Sequence, residues 1–109
     1  MNMYKLIKST LTPLNVPIAL LTYTGTATTY ITFFEYNQQG SLYLEDDEAT
    51  TTHSIQVDIW SKENYLALAE QVKNLMKQAG FTRNSEAEFF EGDTKIFHKV
   101  LRFYYEEKL

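Results

Sequence analysis

The hydrophobic pattern changes period once, sharply, between residues 55 and 81. Ile55, Val57 and Ile59 alternate with Gln56 and Asp58, the two-residue period of a half-buried strand. From Tyr65 onward the apolar positions Leu68, Ala69, Val72, Leu75, Met76 and Ala79 recur at threes and fours. That spacing lines them along one face of a helix. Ser61 is placed to cap the helix, Glu63 falls in its first turn, and Lys73 and Lys77 suit its negative end. Gly80 supplies the left-handed residue that closes it.

Elsewhere the pattern is read in the same way. Met3, Leu6, Ile7, Thr10 and Leu11 predict a short amphipathic helix that stops by Thr12, because the residue before Pro13 is pushed out of the α region. Alone it would be too short to persist, so it must dock on the rest of the domain. Residues 18–23 and 28–36 read as two strands, paired as a hairpin that turns at Gly25. Residues 37–53 are polar around Leu42, Tyr43 and Leu44, with Gly40, the acidic run Glu45, Asp46, Asp47 and Glu48, and a trio of threonines. This composition predicts a long mobile connection with strand-like ends. Residues 83–90 are extended, Glu91-Gly-Asp-Thr94 is a hairpin turn, and residues 95–106 make the last strand. The sequence thus predicts one α+β domain over residues 1–109. Its mainly antiparallel sheet of about five strands carries one long helix and a short N-terminal helix packed on one face.

Several strands are apolar on both sides, and so little helix covers only one. Tyr30, Phe34, Tyr36, Trp60, Arg102 and Tyr104 fall on the second face and are candidates for a subunit or partner interface. The alternative is that tyrosines simply favour strands and keep their hydroxyls in water.

Composition narrows the function classes. Aromatic residues at 15% favour sheet, and the absence of cysteine removes disulfide and thiolate chemistry. No apolar run is long enough for a membrane span, so no membrane partner is expected. The net charge of −4 is uneven: up to Trp60 the basic side chains are Lys5 and Lys8, against Glu35, the acidic run and Asp58. Without a basic stripe, sequence-specific nucleic-acid binding is not expected, although an acid-lined pore that conducts DNA is compatible with the charge.

Candidate chemistry is sparse. The acidic run with His53 lacks the alternating oxygen ligands and fixed glycine of a calcium loop, so it reads as a solvated loop. His53 and His98 have no partner at zinc spacing. Ser61 lacks the glycines of a nucleophile elbow. Asp58, flanked by apolar residues, is expected to pair with Arg102 across the sheet, for structure or for recognition. The glycines form no phosphate loop. The chain is read as a non-enzyme without metal or cofactor.

Val16-Pro-Ile18, Tyr30-Ile-Thr-Phe33, Val57-Asp-Ile-Trp-Ser61, Met76-Lys-Gln-Ala-Gly-Phe81, Phe90-Glu-Gly-Asp-Thr-Lys95 and His98-Lys-Val-Leu-Arg-Phe103 together carry a resemblance. The chain resembles the tail-completion, or tail-terminator, proteins of long-tailed phages and prophages of Gram-positive bacteria, similar in fold to the phage lambda tail terminator. The resemblance spans about residues 16–106, and its motifs are structural rather than chemical. It implies a structural virion protein located in the tail: a homo-oligomeric ring, usually of six copies, that caps the tail tube and joins it to the head connector. Such ring proteins can stay monomeric until they meet the tube. It further implies that the two-sided sheet packs on neighbouring subunits, that the residue 37–53 loop moves on joining, and that the acidic excess faces the DNA channel. A head–tail connector or adaptor of the same assembly and a small monomeric ligand-binding or regulatory domain are the alternatives.

Overall fold

The structure is a computed structural model, and it describes residues 1–45 and 47–109. A helix α1 (Met3–Leu11) and a single 3-10 turn (Thr12–Leu14) lead into strand β1 (Ile18–Leu20). Strands β2 (Thr29–Leu44) and β3 (Asp47–Ser61) follow, then helix α2 (Leu66–Gln78), β4 (Thr82–Glu91) and β5 (Ile96–Lys108). The sheet order is β1-β2-β3-β5-β4, antiparallel throughout except where β1 runs parallel to β2. The fold is α+β, with a five-stranded mixed sheet and two helices.

Both helices lie on the same side of the sheet. Met3, Ile7 and Leu11 of α1 and Ala69, Val72 and Met76 of α2 meet Ile31, Phe33, Ile55, Val57, Ile59, Leu101 and Phe103 in one core cluster. α1 starts where the Asn2 side chain accepts the Lys5 N–H at 3.0 Å, and it ends at Leu11. Thr12 is not pushed out of the α region as expected but keeps helical angles, φ -52° and ψ -37°, and the chain runs on through Pro13 as the 3-10 turn. α2 has 13 residues, little more than three turns, rather than the long helix expected. Ser61 does not cap it. Ser61 is the last residue of β3, and its hydroxyl bonds Thr29 at 2.8 Å and accepts the Glu63 N–H at 3.0 Å. These bonds shape the turn out of the strand and leave Glu63 outside the helix, while the Asn64 side chain accepts the Leu66 N–H at 2.9 Å. The other end matches expectation. Gly80 adopts φ 102° and donates to the Lys77 carbonyl at 3.0 Å, while the Phe81 N–H reaches the Met76 carbonyl at 3.0 Å. These two bonds satisfy carbonyls that the helix end would otherwise leave open.

Two further expectations are corrected. β1 and β2 are not a hairpin: Ile18, Ala19 and Leu20 pair in parallel with Ile31, Thr32 and Phe33. Leu21 takes a positive φ, and residues 21–28 swing back so that β2 starts level with β1; the Tyr23 hydroxyl holds that excursion by accepting the Ala27 N–H at 3.0 Å. Residues 37–44 and 47–53 are strand rather than loop. They continue β2 and β3 as a long antiparallel ribbon, paired from Thr29 with Ser61 out to Leu44 with Asp47. Bulges interrupt the pairing near Tyr36 and Ser41, and the ring of Tyr43 lies over Gly40, where a larger residue would collide with it. The ribbon helps make the molecule 54 × 25 × 24 Å.

Candidate functional site

Side-chain parity places a second set of residues on the face that the helices leave open. Cross-strand register aligns Tyr30, Trp60, His98 and Phe89 in one row. Thr32, Asp58, Val100 and Ala87 form the next, and Phe34, Gln56, Arg102 and Ser85 the third. Tyr104 pairs with Ser54 and Thr82 beyond them. Tyr30, Phe34, Trp60, Arg102 and Tyr104 therefore share this face as the sequence expects. Tyr36 sits at a bulge, and its ring lies 4.9 Å beneath the Arg102 guanidinium, which brings it into the same surface.

The first row is a stack of rings. Tyr23 and Tyr30 are 4.4 Å apart, Tyr30 and Trp60 6.2 Å, Trp60 and His98 3.6 Å with nearly parallel planes, and His98 and Phe89 5.8 Å. Each ring stands against its neighbour across the strands, so the row forms a ridge. The Trp60 indole N–H donates to the Thr32 hydroxyl at 3.0 Å, which fixes its tilt. Burial, with added repulsion from Glu91 and Tyr23, pushes the Tyr30 phenol above its ordinary pKa, so it stays neutral.

A polar chain runs beside the ridge. His98 Nε2 meets Asp58 Oδ1 at 2.7 Å, the Gln56 amide donates to the same oxygen at 2.9 Å, and Arg102 Nε donates to Gln56 Oε1 at 3.0 Å. The expected Asp58–Arg102 pair is thus absent. Asp58 is buried and takes His98 as its partner, while Gln56 relays to the arginine. Arg102 keeps the rest of its guanidinium at the surface. The face offers a hydrophobic ridge, a low floor at Val100 and Ala87, and one exposed cation. The interface candidates drawn from the sequence leave out His98 and Phe89. The alternation of β5 already placed His98 beside Arg102, whereas Phe89 needed the β4–β5 register.

The acidic run lies elsewhere, at the far end of the β2–β3 ribbon. Glu45 takes φ 52° at the turn, Asp47 opens β3 and the Glu48 carboxylate accepts the Thr51 hydroxyl; Asp46 lies outside the described residues. His53 is not beside the run. It is buried at the root of the ribbon between Glu35 and Glu107, with Glu107 Oε1 2.9 Å from Nε2 and the Met1 ammonium 3.6 Å from the same carboxylate. Burial alone would lower the imidazole pKa, but the bonds and charges of Glu107 and Glu35 outweigh it and hold it above the ordinary value. Among the described residues no cluster of three or more His, Asp or Glu is arranged to hold a metal, and no helix is long and apolar enough to cross a membrane.

No protein-family model matches the chain, and no curated protein matches it.

Proposed function

We propose that the protein is a structural component of a long-tailed phage virion, a subunit of a ring that caps the tail tube and joins it to the head connector. The single observation that carries this reading is the uncovered aromatic face. One side of the sheet is closed by two helices, and the other carries the Tyr30–Trp60–His98–Phe89 ridge with Arg102, Tyr36 and Tyr104 around it. Phe89 is 56% exposed and Tyr36 and Tyr104 39% each, an arrangement suited to burial against a neighbouring subunit or the tube. The sequence motifs of residues 16–106 add the tail-terminator resemblance and with it the identity of the partners.

The ribbon refines one part of that expectation. Its acidic tip is carried on a paired strand hairpin, so on joining it acts as a projecting arm. A role for the acidic excess as channel lining then depends on which way the arm points in a ring.

Negative-stain imaging of the protein mixed with tail-tube protein tests the proposal. Rings or capped tube ends are expected, and replacing Phe89 by serine together with Arg102 by glutamate should weaken tube or ring association at least about tenfold. Association with the connector alone would favour an adaptor. Featureless small particles that leave the tube untouched would favour the monomeric module and overturn the reading.

A further inference from the structure

The tip of the ribbon is acidic, and a groove on the helix side has a mainly basic rim. At the tip Leu42, Tyr43 and Leu44 are 49–61% exposed, and Glu45, Asp47 and Glu48 surround them without a basic residue in the segment. Exposed leucines on a projecting arm have no core of their own to enter. The groove lies between α2 and β4, holds about 510 Å³, and is floored by the outer edges of the core residues Phe81 and Phe103, 3% and 1% exposed. Lys73, Lys77 and Arg83 stand on its rim with Glu70. Lys73 is engaged by Glu70 at 2.7 Å and Glu86 at 3.4 Å, and Arg83 by Glu86 at 2.5 Å. Lys77 makes no ion pair among the described residues and is exposed. The rim therefore offers a cation to an incoming carboxylate.

The two features cannot meet within one molecule. Phe103 pairs with Ile55 on β3, and the tip lies some eight residues further along that strand, roughly 25 Å away at the rise of a strand. Any tip that fills the groove comes from another copy.

We propose that the ribbon tip of one copy docks in the α2–β4 groove of the next, with the Leu42 and Leu44 side chains turned into the groove and the tip carboxylates on Lys77. Because the contact joins unlike patches, copies that do not exchange tips reciprocally repeat it head to tail, and the chain of copies closes into a ring when the rotation between them permits. The inference rests on the ring reading, to which it adds the contact between neighbours.

The chain has no cysteine, so single thiols can be placed at will. Leu44→Cys at the tip and Asn74→Cys at the groove are mixed and treated with a short bis-maleimide. Tip–groove linked dimers are expected at least about tenfold above either variant treated alone, and a variant carrying both changes should give a ladder of linked oligomers. Lys77→Glu in the groove copy should suppress linking, and Glu45→Lys in the tip copy should restore it. Both positions are exposed, and circular dichroism confirms that the variants remain folded. Equal yields from like and unlike pairs, no linking with or without tube protein, or no rescue by the charge swap would each overturn the inference. Linked rings that ignore the tube would instead sink the tail function and leave the contact standing. Capped tubes without tip–groove linking would do the reverse.

Discussion

Replacing Val72 by aspartate should unfold the domain at room temperature. Val72 is fully buried on α2, in the cluster that joins both helices to the sheet. A carboxylate there meets no partner, and leaving it uncompensated or forcing it to take up a proton costs several kcal/mol. A domain of this size has about 5–15 kcal/mol of stability in all. Val72→Ala serves as the graded control and should cost about 2 kcal/mol through lost methyl burial and a small void. Circular dichroism with urea titration separates the two. A Val72→Asp midpoint close to that of the parent would mean that α2 does not lie on the sheet.

The second large effect is expected at His53, and it depends on pH. Glu35 and Glu107 flank both ring nitrogens, an arrangement only the imidazolium satisfies, because both nitrogens must then donate. The His53 pKa is raised in the fold, so its contribution is complete below the ordinary value of 6.5 and is lost as pH rises through the folded value. The hydrogen bond from His53 holds Glu107 below its ordinary value of 4.5. Its contribution is present above 4.5 and is lost as pH falls through its own folded value. The network is therefore strongest between 4.5 and 6.5. His53→Gln should lower the melting midpoint by about 5–15 °C near pH 5.5, with a smaller gap to the parent at pH 9. A gap that stays constant with pH would show that the ring acts by packing alone.

The parts of the fold that bury one face were legible in the sequence. Ile55, Val57 and Ile59 announce β3, and Val72 and Met76 announce α2, because each period is imposed by a core on one side only. The ribbon was not legible for the same physical reason. Gln38, Gln39 and Ser41 are exposed, so no alternation marks them as strand. What holds them is pairing with Thr50, Thr51, Thr52 and His53, which a local pattern does not reveal. The β-branched threonines were the available signal. Ser61 was misread because a serine before a helix serves a cap and a strand-ending turn equally well, and only the bond to Thr29 decides between them. On the open face, parity within single strands located Tyr30, Phe34, Trp60, Arg102 and Tyr104. The choice of His98 over Arg102 as the partner of Asp58 depends on side-chain reach, since both lie on the same side of β5, two residues either way from the position opposite Asp58.

The stacking of Trp60 on His98 gives the molecule an optical reporter. Trp60 is the one tryptophan in the chain, so its emission arises wholly from the ridge. Any partner that settles over these rings changes the water around the indole and shifts its fluorescence. Binding at the ribbon tip or the α2–β4 groove should leave the signal unmoved, so an unlabelled titration can tell which surface has been occupied.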